Sequence, residues 1–528
     1  MRTLRITLCL TASVLCFYLY QRANIRPEFF ILTCLFGLGL YVRWYRGVVL
    51  SMLAVLGVLL LLFFHTEKMM GGANLFKVIP ELLAIVADTN PGEVRATFIN
   101  LWSPNELLSI VFLLVCGALF WTLRRVQPNV HADQALAVVS MAALVALLIT
   151  PDFILHKTYA GVDESWKVYS DNLERIEKKE AFRWRAKAGY PGRDTVVLVL
   201  GETTRGDRMG INGYARNTTP ELQQTEGVIS YTQAISNGSY TLMSTPIIMT
   251  RSRGEPENLV YPETSIISAF KEAGYETFYV TYMDKADEGG SVIDQIVSEA
   301  DHYYKTTWGP DELEDMVGRD KVLQLLERPE SKKLIVFKMI GSHLNFQDRF
   351  NEDFNVFRPS YRDVVYTGPK PEERHILSNS FDNSVLVTDH VLAGLIDGLR
   401  EQPGRTSLSF ISDHGTALFE DGQSSYGGST QYNYDIGMFF WFSDGYFDEH
   451  KVGNLARNRH AAVDSTCFLD TLLSVTQIKT PRKKGCDLTS DEFTPMNDRQ
   501  VVMQGKRVNY DRRFAPRTAR VSPPDSDD

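Results

Sequence analysis

Two short apolar runs in this chain each end on side chains that bind hard cations. Thr195–Leu200 (TVVLVL) runs into Gly201 and then Glu202, and residues 407–412 (SLSFIS) run into Asp413, His414 and Gly415. An unbroken apolar run suits a strand buried on both faces of a parallel sheet, and open α/β sheets bind ligands at the carboxyl ends of their strands. Glu, Asp and His are ordinary zinc ligands, and three protein ligands leave a position open for chemistry. Each end alone reads equally as a turn with a capping carboxylate. Together they read as two strand ends converging on one divalent cation.

A hydroxyl and a second imidazole stand nearby in the pattern. The segment SNGSYTLMSTPIIMT, residues 236–250, puts Thr241 at the start of a helical stretch. A hydroxyl at a helix amino terminus faces free N–H groups that favour a phosphate, and a neighbouring cation lowers its pKa. From the residues alone Thr241 is an N-cap. His343 follows another apolar run, in LIVFKMIGSHLNF, where a lone strand-end histidine reads as structural.

The stretch GETTRGDRMGINGYARNTTPEL resembles the signature of the bacterial phosphoethanolamine transferases, membrane enzymes of the alkaline-phosphatase/sulfatase superfamily. The resemblance is carried by Gly201, Glu202, Thr203, Arg205, Asp207, Asn212, Gly213, Tyr214, Arg216, Thr218, Pro220 and Leu222. It implies Thr241 as the nucleophile, with Ser239 as the fallback, and Glu202, Thr241, Asp413 and His414 as ligands of Zn2+. It implies a substrate or second-cation role for His343, although Leu344 and Asn345 replace the family's Gly-Pro. Tyr426 falls where the family carries a further histidine; a phenol donates a hydrogen bond but ligates a divalent cation poorly. Ser239, His343 and Tyr426 are therefore the substrate-binding candidates.

The implied reaction is ping-pong. Phosphatidylethanolamine gives phosphoethanolamine to the threonine, diacylglycerol leaves, and an acceptor then takes the group. Asn237 and Ile247 replace cysteines that lipid A-modifying members carry around the nucleophile, and only Cys467 and Cys486 lie outside the apolar region. On these grounds the chain looks most like the branch that decorates osmoregulated periplasmic glucan. Lipopolysaccharide core or lipid A is the alternative acceptor. A lipoteichoic-acid-type glycerophosphate transferase fits the long NGYARNTTP match less well. A non-catalytic membrane scaffold would not be expected to keep the whole ligand set, and a sulfatase would show a C/S-x-P-x-R motif at the nucleophile.

The elements that must position these residues follow from patterning. Five apolar stretches, Leu4–Tyr20, Glu28–Val42, Val48–Phe64, Leu107–Leu123 and Ala135–Leu155, approach the length of membrane-spanning helices. Residues 1–156 thus read as a transmembrane domain. Arg2, Arg5, Arg43, Arg46, Arg124 and Arg125 fall on one side and set it as cytoplasmic. The rest then lies in the periplasm of an inner-membrane protein in contact with the lipid bilayer. Residues 74–90 are apolar on a helical period and could form an interfacial helix. Residues 157–194 read as a charged connector, an interfacial helix by composition. Residues 195–488 alternate strands (195–200, 276–282, 334–340, 407–412, 437–442) with helices (about 241–250, 263–273, 311–327, 379–402, 462–476). This predicts an α/β domain with a mainly parallel sheet covered by helices, and the resemblance implies the alkaline-phosphatase/sulfatase-like fold. Residues 489–528 read as a polar, flexible tail. Cys467 and Cys486 could pair, or Cys467 could simply be buried. A net charge of −9 with 23% charged residues gives no reason to expect nucleic acid as a partner.

Overall fold

In the computed structural model, residues 182–514 are described apart from 253–262, 284–291, 310–311, 367–368, 423–427, 447, 482–484 and 504–505; the helical residues 110, 111, 114 and 118 are described as well. Apart from those four residues of the fourth, the five predicted spans lie outside the described residues, as do the segment 74–90, most of the connector and residues 515–528. Among the described residues no helix is long and apolar enough to cross a membrane.

The domain is organised on one seven-stranded sheet. Its strands are β1 (Asp194–Gly201), β2 (Ile229–Ser230), β3 (Glu276–Thr281), β4 (His302–Lys305), β5 (Lys332–Lys338), β6 (Arg405–Ser412) and β7 (Met438–Phe442), in the order β2-β7-β6-β1-β5-β3-β4. β1 lies at the centre, parallel to β5 on one side and to β6 on the other. Only β7 runs against its neighbours. The sheet is therefore mainly parallel, as the alternation predicts.

β1 shows why its sequence is a continuous apolar run. Val196, Leu198 and Leu200 belong to one hydrophobic cluster, and Val197 and Val199 to another on the opposite face. The first face is covered by helices α3 (Ile266–Glu272) and α6 (Thr466–Val475), the second by α4 (Glu314–Leu326) and α5 (Arg374–Arg400). With both faces buried, the period-2 alternation of a half-exposed strand has no reason to appear. Two further helices, α1 (Pro220–Gln224) and α2 (Thr241–Met249), follow β1 and carry the end of the motif and the candidate nucleophile. Cys467, in α6, is bonded to Cys486, which resolves the pairing left open by sequence.

Two expectations are corrected. The described part of the connector is extended rather than helical: Phe182, Trp184, Ala186 and Ala188 face inward at every second position while Arg183, Arg185 and Lys187 are exposed. Trp184 is buried, with its backbone N–H donating to Glu272 Oε1 at 2.9 Å. The charged composition suggested a helix, but the apolar residues sit on a strand period.

The tail is the second. It supplies a hairpin of β8 (Gln500–Met503) and β9 (Lys506–Asn509), closed by a helical turn at Tyr510–Arg513. Val501 and Met503 pack with Tyr434 and Tyr510, while Val502 faces the other way onto Tyr240, Met243 and Ile247 of the nucleophile segment. Val502 N–H donates to the Asn237 carbonyl at 2.8 Å, and Asn237 Nδ2 donates to the Gln500 carbonyl at 2.6 Å. Lys506, Arg507, Arg512 and Arg513 remain exposed, and it was these that made the segment read as solvated.

Candidate metal centre and nucleophile

Register brings the candidate residues together. Gly201 pairs with Ser412 and Leu200 with Lys338, so β5, β1 and β6 end side by side. Glu202 then follows β1, and Asp413 and His414 follow β6. Donor atoms of Glu202, Asp413 and His414 lie within 4.8 Å of one another, and all three side chains are buried. Neither capping reading holds at Glu202: its carboxylate turns into this cluster. Two hard oxygens and an imidazole at such spacing are a donor set suited to zinc. The three are arranged on adjacent strands of a rigid sheet, so no loop has to close to assemble them.

Thr241 reaches the same cluster. It is the first residue of α2, with Tyr240 in the N-cap position, so its hydroxyl is not spent on capping. Instead Thr241 Oγ1 donates to Glu202 Oε2 at 3.1 Å. Of the two candidate hydroxyls of this segment it is Thr241, and not Ser239, that meets Glu202; Ser239 is buried in the turn ahead of the helix. His343 is half-buried just beyond β5, near enough to Glu202 to help hold that carboxylate ionised. Tyr426 lies outside the described residues.

Two neighbours of the cluster were given no role in the site from sequence. Lys338, the last residue of β5, places Nζ 2.7 Å from Glu202 Oε2 and 3.1 Å from Asp413 Oδ2. The signal was available: a lysine closing an apolar run of a two-sided buried strand must find a partner. Thr203 donates from Oγ1 to Glu202 Oε1 at 2.8 Å, and its N–H donates to Asp413 Oδ1 at 3.1 Å. It does so at φ 60°, a left-handed conformation that costs a β-branched residue about 1–3 kcal/mol. The strained turn is what aims both hydrogen bonds into the cluster.

The electrostatics follow from burial among these groups. Burial alone would raise Glu202, but Lys338, and then His414, hold it well below the usual carboxylate range. Asp413 is pushed up, by burial and by the charge of Glu202 beside it. Burial disfavours the charged form of His414, yet Asp413 and Glu202 outweigh it and raise the imidazole to about 9.

The signature around the site is a buried ion network. Arg205 pairs with Asp207 through Nε and Nη2 at 2.9 and 2.8 Å and also reaches Glu420. Arg208 donates to the Tyr214 hydroxyl at 2.7 Å; Tyr214 and Arg216 both donate to Asp382 Oδ2, at 2.9 Å each. Asp389 accepts from the N–H groups of Glu221 and Leu222 at 2.8 and 2.9 Å. Asp382 and Asp389 both belong to α5, so the motif stitches the loop after β1 to the longest helix of the domain. Arg205 and Asp207 thus hold the strand-end loop.

The loop that carries His343 has its own anchor. Asp315, in the first turn of α4, accepts from the N–H groups of Ile340 and Gly341 at 2.8 Å each. Gly341 has φ 46°, and a Cβ there would meet the Glu202 carbonyl at 2.6 Å. Burial pushes the Asp315 carboxyl up to about 7, against the pull of those two N–H donors. An unfolded aspartate titrates near about 3.9. Between those values the folded chain holds a proton that the unfolded chain does not, so this group adds stability as pH falls through the window. Thermal melts of wild type and Asp315→Asn at pH 8 and pH 5 should show wild type gaining relative to the variant on acidification. An unchanged difference would refute the assignment.

Comparison with known proteins places the chain. The sulfatase family profile matches residues 194–478, more than half of its length, and the chain belongs to that family. Within it, several relatives are named phosphoethanolamine transferases. The chain is 27% identical over 361 residues to the Kdo(2)-lipid A phosphoethanolamine 7''-transferase of Escherichia coli K12, covering 65% of this chain and 62% of that protein, just under two thirds of its length. It is 24% identical over 404 residues to the phosphoethanolamine transferase EptC of the same organism, covering 69% of each. Among solved structures, the membrane protein lipooligosaccharide phosphoethanolamine transferase A of Neisseria meningitidis matches with a TM-score of 0.56 at 17% identity, over 93% of this chain and 97% of that one. The zinc complex of the periplasmic domain of Escherichia coli EptC matches with a TM-score of 0.54 at 22% identity, over 62% and 95%. These likenesses establish the sulfatase-like α/β fold. The relatives named for an acceptor are lipid A and lipooligosaccharide enzymes, which favours the lipopolysaccharide alternative over the periplasmic glucan expected from the cysteine pattern.

Proposed function

We propose that this chain is a metal-dependent phosphoethanolamine transferase of the bacterial inner membrane, with its catalytic domain in the periplasm. It moves the group from phosphatidylethanolamine to lipid A or another saccharide of lipopolysaccharide. The observation that carries the reading is the Thr241 hydroxyl, at the amino terminus of α2, hydrogen-bonded to Glu202 inside the Glu202–Asp413–His414 cluster.

Glu202, Thr241, Asp413 and His414 would hold Zn2+, which, when bound, lowers the pKa of the hydroxyl and neutralises charge on phosphoryl oxygens. Thr241 Oγ attacks the donor phosphorus, the bond to the diacylglycerol oxygen breaks, and the threonine proton is passed to that leaving oxygen. A phosphoethanolamine-threonine ester remains. A hydroxyl or phosphate oxygen of the acceptor then attacks that phosphorus, and the threonine oxygen leaves and recovers its proton. The amino terminus of α2, the positive end of its dipole, orients the phosphoryl oxygens. His343 stands beside the cluster as a contact for the donor or the leaving group.

The membrane reading is supported by the five apolar stretches and by the 93% coverage of the likeness to the Neisseria membrane protein. Val111 and Leu114, in the fourth stretch, are helical and exposed, as lipid-facing side chains are.

Mass spectrometry of lipid A, core and periplasmic glucans from cells with and without this chain tests the proposal. Phosphoethanolamine missing from lipid A or core supports it. Loss from glucan alone would reinstate the glucan acceptor, and no change in any pool would sink the transferase reading.

A further inference from the structure

We propose that Lys338 acts in this site as a fixed second cation, so that one divalent ion suffices for phosphoryl transfer. The inference rests on the transferase reading above and adds a residue to it.

Three observations carry it. Lys338 is almost fully buried at the end of its strand, directly after the apolar residues Leu334, Ile335, Val336 and Phe337. Its ammonium meets Glu202 Oε2 at 2.7 Å, Asp413 Oδ2 at 3.1 Å and the Gly201 carbonyl at 3.2 Å, which occupies all three of its donors. It enters from β5, whereas the candidate ligands come from the loops after β1 and β6 and from α2.

Charge then decides the role. A divalent ion only balances the two carboxylates. Once Thr241 gives up its proton the pocket would be negative, and the incoming phosphodiester is itself an anion. Lys338 offsets one of those two negative charges without needing ligands of its own. A second metal ion would need them, and among the described residues one group of cation-binding side chains converges, the Glu202–Asp413–His414 cluster. A preorganised positive group beside developing phosphoryl charge is worth far more in a buried site than in water.

The competing role is structural: Lys338 would only prop the two carboxylates, and removing it would weaken the metal site. The two roles predict opposite changes in metal binding. We would purify the full-length protein in detergent as wild type, Lys338→Met and Lys338→Arg. Zn2+ content and affinity would be read by competition with a chromogenic chelator, and diacylglycerol release from fluorescent phosphatidylethanolamine would be read separately. Wild type should hold one Zn2+ per chain. Lys338→Met should hold one at equal or tighter affinity, because a like charge has gone, while release falls by about tenfold to a hundredfold. Lys338→Arg should recover part of that loss. Zn2+ bound more weakly by Lys338→Met, two ions per chain in wild type, or unchanged release would each overturn the proposal. If wild type cleaves no phosphatidylethanolamine, the transferase reading fails instead, and the direction of the zinc-affinity change still decides between the two roles.

Discussion

Thr241→Ala should abolish transfer while leaving the fold and the metal site in place. The side chain is buried and its hydroxyl donates to Glu202 in the cluster. Alanine at the first position of α2 costs the helix nothing in propensity. What disappears is the atom that would carry the phosphoryl group. Losses on removing a covalent nucleophile are on the order of 10³-fold or more. Diacylglycerol release from fluorescent phosphatidylethanolamine measures this directly. Intact-mass analysis of wild type given donor without acceptor should find one phosphoethanolamine on the peptide containing Thr241, and none in the variant. Thr241→Ser should retain measurable activity. A group attached to Ser239 instead would move the nucleophile two residues upstream and refute the assignment.

Glu202→Gln is the second large effect. Both carboxylate oxygens are in use: Oε1 accepts from Thr203 and lies 3.1 Å from His414 Nε2, while Oε2 accepts from Thr241 and Lys338. Glutamine has the same shape but only one acceptor oxygen, and no charge. Lys338 would then face Asp413 alone, and the pocket would lose half of the negative charge that attracts a divalent ion. We expect zinc content to fall from one ion per chain to below roughly a tenth, with a loss of transfer on the order of 10³-fold. Elemental analysis after gel filtration in chelator-free buffer reads the first quantity. Zinc retained in full by the variant would show that the ion is held elsewhere.

The sheet and the cluster were legible for one reason. Strands buried on both faces write themselves as runs without charged residues, and TVVLVL and SLSFIS each end on the ligand types. The parallel order β5-β1-β6 then puts those ends side by side, which no local pattern states. Lys338 was passed over because a single charge inside LIVFKMI looks like noise until the register with Leu200 brings it to Glu202. Residues 182–188 and 500–509 were misread for a shared reason. Each was read by its basic residues, while its apolar ones, Trp184 and Val502 among them, decide the packing. The acceptor was read from missing cysteines, and the relatives favour the other answer. Asn237 shows why that signal was poor. In place of a covalent bond, it is held by Gln500 and by Ser465, whose hydroxyl donates to Asn237 Oδ1 at 2.6 Å.

The ion network behind the signature has a consequence for how such chains diversify. Arg205, Asp207, Arg208, Tyr214 and Arg216 find their partners in one another or in Asp382 and Glu420, so exchanging any one of them strands a buried charge. Such a circuit resists stepwise drift, and it does so whatever molecule receives the phosphoethanolamine. The most recognisable stretch of the sequence is thus blind to acceptor choice. Specificity has room to evolve where the circuit does not reach, at half-buried positions such as Leu344 and Asn345 beside His343. Exchanging those loops between relatives should retarget the enzyme, whereas exchanging the signature should only cost it stability.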